Sequence, residues 1–282
     1  MSDQSHAPTS AFPSVPAEYQ GVWRRTLLRS ADGAEDTTTR VFWLQTARHH
    51  VDIRVPAERP SLGGATSLAE LNREQLNGLA LQQGFGGVTE VKGDVCQWTR
   101  QADFQPPTGD NDIGRMVFKG RVQVLEYGVE SDYFEDWARE PGSDGDSFAL
   151  ERLSDDGKSP TVPLTRLLVA GGKFMYIRAR HGDTLPKSAS FSELAANLSD
   201  DELRRALDFE ISYGSIDSPG PEPRRWIVDL STLPWREGEA ALSSEAFRNV
   251  LKHAPGEVVS ESGDNEGSKW RILDLTQSSS SS

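Results

Sequence analysis

Thr39-Arg40-Val41-Phe42-Trp43-Leu44, a turn, and Val51-Asp52-Ile53-Arg54-Val55 recur as Thr165-Arg166-Leu167-Leu168-Val169-Ala170, a shorter turn, and Met175-Tyr176-Ile177-Arg178-Ala179. Three further matches keep the same order at a spacing of about 125 residues. Ser67-Leu68-Ala69-Glu70-Leu71 pairs with Ser190-Phe191-Ser192-Glu193-Leu194, Trp98 and Pro106 with Trp226 and Pro234, and Leu125-Glu126-Tyr127-Gly128 to Trp137 with Ser260-Glu261-Ser262-Gly263 to Trp270. A period that long means two units of one architecture. Val51, Ile53 and Val55 alternate with Asp52 and Arg54, and Val122 and Val124 with Gln123 and Leu125, which is the period of a two-faced strand. Turn formers such as Ala31-Asp32-Gly33, Asp155-Asp156-Gly157 and Ala170-Gly171-Gly172 separate consecutive strands and favour antiparallel hairpins over helical crossovers. The expected fold is mainly β: two tandem antiparallel β-barrels, because closure removes the unpaired edges of a meander. Short helices are expected near Leu68 to Leu81 and Phe191 to Leu207.

The length of 282 residues suits two domains, each able to bury its own core. Pro141-Gly142-Ser143-Asp144-Gly145 is the turn-rich boundary. The expected organisation is an N-terminal tail at 1–16, a first barrel at 17–142, a second at 143–276 and a serine tail at 277–282. Both tails carry too little apolar surface to fold. A net charge of -13 disfavours the phosphate backbone of nucleic acid. The longest apolar runs, such as Leu167-Leu168-Val169-Ala170, fall far short of the roughly 20 residues that span a bilayer, so no membrane partner is expected. The polar stretch from Met1 to Ser14 lacks the apolar segment of a signal peptide, and Cys96 is the single cysteine. The cytoplasm is the expected compartment.

Gly21-Val22-Trp23 resembles the Gly-x-Trp signature with which lipocalins open their barrel. Together with Trp43-Leu44-Gln45 and Val51-Asp52-Ile53-Arg54-Val55-Pro56 it resembles the fungal casein-kinase-interacting Hri-type proteins and their bacterial relatives, over roughly residues 18–276. The resemblance implies tandem lipocalin-like (calycin) barrels, no settled reaction and no cofactor. It is strongest in the first unit. The second has Ser147 near the Trp23 position, Val169 for Trp43 and Tyr176 for Asp52.

Because strand residues alternate between lumen and exterior, His50, Asp52 and Arg54 share one face. An imidazole, a carboxylate and a guanidinium converging in a barrel can orient a polar ligand or move a proton, so these three are the candidate catalytic residues. Trp43 and Gln45 share a face of the preceding strand and offer an apolar wall and a hydrogen bond. With Tyr127 they are the candidate ligand contacts. The competing reading leaves Asp52 and Arg54 on the solvent face as a weak surface pair. His49-His50-x-Asp52 puts only two ligands on one face, so no metal site is expected, and His181 and His253 lie in loop-like contexts unsuited to haem. No nucleophile elbow, phosphate loop, dinucleotide fingerprint or cysteine cluster occurs. Three functions follow. The first is binding of a small, partly apolar molecule in the first barrel; the second is a cofactor-independent lyase, hydratase or isomerase using general acid-base chemistry; the third is a protein-interaction scaffold.

Overall fold

The computed structural model describes residues 13–182, 185–216, 225–243, 246–247, 249–261 and 267–278. The tail residues 1–12 and 279–282 lie outside these, as do Ser262 and Gly263 of the repeat. Strands β1 (Gly21–Ser30), β2 (Glu35–Asp36), β3 (Arg40–Gln45), β4 (His49–Val55), β5 (Gln83–Lys92), β6 (Val95–Asp103), β7 (Asp112–Phe118), β8 (Gln123–Gly128) and β9 (Tyr133–Arg139) form one antiparallel sheet. β1 pairs with β3 on one side and β9 on the other, so eight strands close into an up-and-down barrel and short β2 extends the end of β1. That meander is the architecture of lipocalins. Val15, assigned to the tail from sequence, is buried with its N–H on the Ala47 carbonyl, and Tyr19 receives the Trp23 indole N–H at 2.9 Å.

The second sheet contains β10 (Ser147–Arg152), β11 (Thr165–Ala170), β12 (Lys173–Arg178), β13 (Glu210–Ile216), β14 (Trp226–Ser231), β15 (Ala240–Leu242), β16 (Val258–Ser260) and β17 (Lys269–Thr276). Its order, β15-β14-β13-β12-β11-β10-β17-β16, leaves β15 and β16 as end strands, so among the described residues this sheet curls without closing. The physical reason is visible in its concave side. Trp226, Phe247, Trp270 and Val250 fill it, with Phe247 edge-to-face on both indoles, and side chains seal the space that further strand pairing would enclose.

Helices α1 (Arg73–Leu79), α2 (Phe191–Ala195) and α3 (Asp200–Leu207) occupy the repeat-matched segments. Asn72 with Gln75 and Ser199 with Glu202 form capping boxes that satisfy the orphan N–H groups at the starts of α1 and α3. Leu76 and Leu79 of α1 and Leu203 and Leu207 of α3 join a third core, between the two sheets. Val51, Ile53 and Val55 on the outer face of β4 meet Leu168, Met175, Ile177 and Ile211 there, and Phe42 stacks on Tyr213 at 4.2 Å. β11 is buried at all six positions because one face lines its own core and the other this shared one. With Val51, Ile53 and Val55 covered from outside, parity sends His50 and Asp52 inward. None of the described helices is long and apolar enough to cross a membrane.

Candidate functional site

Trp23, Val41, Cys96, Met116 and Val124 pack in the lumen of the first barrel with Trp43, Trp98 and Trp137; the Trp43 indole meets the other two edge-to-face at 5.5 and 6.0 Å. Charged inward positions form a layer in register with the indoles: Arg25 on β1 pairs with Trp137, Asp52 on β4 with Trp43 and Asp112 on β7 with Trp98, and Arg54 on β4, Glu126 on β8 and Glu135 on β9 adjoin them.

Each carboxylate in this layer has a different partner set. Arg54 donates from Nε to Asp52 Oδ1 at 2.8 Å and from Nη2 to Oδ2 at 3.4 Å, and its Nη1 lies 3.9 Å from Glu135. Burial raises the Asp52 pKa and outweighs the opposing pull of Arg54. Burial acts against the Arg54 cation, yet Asp52 and Glu135 together hold its pKa well above the ordinary guanidinium value. Arg25 bridges Glu135 at 2.7 Å and Asp36 at 2.8 Å. Arg100 bridges Asp103 and Asp112, with its guanidinium 3.7 Å from the centre of the Phe85 ring. Glu126 has no cation within ion-pair distance among the described residues; it accepts from Tyr133 Oη at 2.7 Å and Trp137 Nε1 at 3.0 Å. Burial, then the neighbouring Glu135, push its pKa well above the usual carboxylate range. A Cβ at Gly114 would sit 2.8 Å from Glu126 Oε1, so a glycine there makes room for the carboxyl.

Trp43, Asp52, Arg54, Phe85, Trp98, Asp112, Glu126 and Trp137 enclose a cavity of about 20 Å³, enough for about one water molecule. The Trp43 indole N–H is buried there with no acceptor. Three of the six residues singled out from the sequence, Trp43, Asp52 and Arg54, therefore meet in one cavity. The other three do not line it. Thr89 Oγ1 donates to Gln45 Oε1 at 2.7 Å and so accepts from His50 Nδ1 at 3.0 Å, which fixes His50 as the Nδ1–H tautomer with a buried, unpartnered Nε2. Burial, then Arg100, hold its pKa well below the ordinary imidazole value. Gln45 spends its amide on Thr46, His49 and Thr89, all backbone or structural contacts. Tyr127 points outward, 41% exposed, against Phe134. Glu126, Asp112, Trp98 and Phe85 were missed; the parity of β8 relative to Trp137 was the signal that would have found Glu126. No cluster of His, Cys, Asp and Glu suited to a metal ion occurs among the described residues.

A larger cleft of about 790 Å³ adjoins this cavity, with Trp98 and Asp112 lining both. No family model and no curated protein matches the chain. Among solved structures it is similar to a lipocalin-like protein from Bacteroides uniformis, at 12% identity and a TM-score of 0.30, over 44% of this chain and 100% of that one.

Proposed function

We propose that the first unit, taken as residues 17–142, binds a small, partly apolar molecule whose polar end enters the lumen beside Trp43, Asp52, Arg54 and Glu126. The observation that carries this reading is the Trp43 N–H: a buried donor without an acceptor is unfavourable by about 1 to 3 kcal/mol, and a ligand oxygen in the cavity relieves it. The size of the cavity limits what enters. About 20 Å³ admits one hydroxyl or carbonyl oxygen, so the apolar body of the ligand lies outside the charged layer. Kinship to the Hri-type tandem barrels belongs to the same proposal and rests on Trp23, Trp43, Gln45, Asp52 and Arg54. The lone, buried Cys96 fits a reducing compartment such as the cytoplasm.

Glu126 favours a second reading, general acid-base catalysis. A carboxyl whose pKa is raised by burial, aligned by Tyr133 and Trp137 and sharing a cavity with the arginine-paired Asp52, has the environment of a proton donor beside a carboxylate. In that case Glu126 gives the proton, Asp52 receives one and Arg54 steadies developing negative charge. His50 does not line the cavity and takes no part.

Native mass spectrometry of protein purified from its own host tests the binding reading. A co-purifying small molecule is expected, with affinity reduced about tenfold in Trp43→Phe, which keeps a ring and removes the N–H. Unchanged affinity in that variant refutes the assignment. Turnover of the bound molecule, abolished in Glu126→Gln with binding intact, selects the enzymatic reading.

A further inference from the structure

Trp98 and Asp112 line both the lumen cavity and the larger cleft, and the ladder between β6 and β7 ends at that pair, running from Val95–Trp98 against Asp112–Arg115. Past Trp98 the wall between the two spaces is made by side chains. Arg100, on the cleft lining, donates to Asp112 at 2.7 Å and to Asp103 at 2.9 Å. Its guanidinium lies 3.7 Å from the centre of the Phe85 ring, which lines the lumen cavity. An ion pair therefore stands between a cavity of about 20 Å³ and a cleft of about 790 Å³, the latter a volume that holds a small molecule. The second unit supplies apolar surface to the cleft through Leu164, Leu185 and Phe209.

Charge decides what fits. The lumen cavity has three acidic side chains on its lining, Asp52, Asp112 and Glu126, and one cation, Arg54, already paired with Asp52. The cleft has Asp103, Asp110 and Asp112 against Arg100 and Arg180 among the described residues, and Arg180 is held by the carbonyls of Asp103, Phe104 and Ala206. An anionic ligand would meet an excess of acid in either space. A cationic head would leave the buried Trp43 N–H without an acceptor. A hydroxyl is complementary to both kinds of group, because one oxygen accepts from an N–H and donates to a carboxyl oxygen.

We propose, on the reading of the lumen as a binding site, that its ligand is a neutral alcohol with an apolar chain that spans both spaces. The hydroxyl accepts from Trp43 and donates to a carboxyl of the lumen cavity; the chain passes the Arg100–Asp112 pair and lies in the cleft against Leu164 and Leu185. The second unit then completes the site by covering the apolar end.

NMR titration of the tryptophan indole N–H signals of the full chain tests this, the Trp43 signal being the one lost in Trp43→Phe. 1-Octanol is expected to move that signal and to bind about tenfold more tightly than octanoate, octylamine or 2-octanone, which accepts but does not donate. Leu185→Gln and Leu164→Gln should each weaken 1-octanol about fivefold and leave ethanol, which has the head and almost no body, unchanged; the ethanol titration also reports an intact lumen. Trp43→Phe should weaken both alcohols. Ethanol and 1-octanol indifferent to Trp43→Phe would remove the lumen reading itself. A Trp43→Phe effect with 1-octanol untouched by both leucine variants, or weakened by them no more than ethanol, overturns the spanning ligand alone, and octanoate, octylamine or 2-octanone binding as tightly as 1-octanol overturns the alcohol.

Discussion

Asp52→Asn and Arg54→Met remove opposite halves of one buried pair, and their effects on stability should be unequal. Asp52 is 3% exposed at its side chain and Arg54 23%. The usual expectation is that breaking a buried pair costs about 3 to 5 kcal/mol from either side. The direction of the Asp52 shift argues otherwise. Its pKa is raised although Arg54 touches it, so the folded barrel disfavours the carboxylate relative to the unfolded chain. Between the ordinary carboxylate value and the folded one, the native state holds more protons than the unfolded state, and stability falls as pH rises through that window. In its ionised form Asp52 is therefore a net burden. Asparagine keeps the shape, accepts from Arg54 Nε and lifts that burden, while Arg54 retains Glu135 at 3.9 Å. The expected change is within about 1 kcal/mol of zero. Arg54→Met leaves Asp52 and Glu135 buried without their shared cation and should cost about 3 kcal/mol, the low end because the arginine is partly exposed. Measured at about pH 8 and about pH 5, that deficit should be the smaller at the lower pH, because burial favours the protonated form of Asp52 and Arg54 is the group that opposes it. Urea unfolding followed by tryptophan fluorescence at both pH values, with m unchanged, is the assay. A loss in Asp52→Asn as large as that in Arg54→Met would show that the ionised pair is a net stabiliser and would refute the reasoning.

Two further substitutions probe the frame around the site. Trp23 is fully buried, donates to the Tyr19 carbonyl and lies under the Arg139 guanidinium at 4.3 Å, so Trp23→Ala should cost about 3 to 5 kcal/mol in urea unfolding; an unchanged midpoint would remove its structural role. Asp274 on β17 accepts from Thr46 Oγ1 and the Arg48 N–H at 3.0 Å and from His49 Nδ1 at 2.7 Å, so Asp274→Ala orphans donors at the turn joining β3 and β4. The expected loss is about 2 to 4 kcal/mol, with faster amide exchange at Val51 and Ile53, and protection equal to wild type there would contradict the link.

The strands were legible because alternation is a local signal. Val51, Ile53 and Val55 named one face of β4, the repeat carried the pattern to β11 and β12, and the matched segments beginning at Ser67 and Ser190 marked the short helices. What alternation does not say is what covers an apolar outer face. Val51, Ile53 and Val55 are as apolar as a lumen face because the second sheet packs on them. The unbroken run Leu167-Leu168-Val169-Ala170 was the trace of that packing, since a strand buried on both sides loses its polar positions. The openness of the second sheet had no such trace. It depends on where Phe247 and Val250 come to rest, which is a tertiary matter.

The charged layer was half legible for a different reason. Asp52 and Arg54 lie two residues apart, so their pairing is visible in the sequence, whereas Arg25 and Glu135 are 110 residues apart and meet only where β9 closes on β1. Tyr127 was expected among the ligand contacts, yet the register Val124↔Trp137 and Glu126↔Glu135 puts Val124 and Glu126 in the lumen and sends Tyr127 outside. A one-residue difference reverses every face of a strand. The same register sets two carboxyls directly across from one another in a dry interior, where both cannot readily carry charge. Arg25 stands on the Glu135 side at 2.7 Å, and Glu126 is left with a phenol and an indole, both neutral donors. Burial and the facing Glu135 accordingly push the Glu126 pKa well above the usual carboxylate range. Closure of the barrel, by delivering Arg25 to one acid and not the other, is what sets Glu126, in an otherwise surface-like Leu-Glu-Tyr-Gly segment, into the wall of the lumen cavity with its pKa raised.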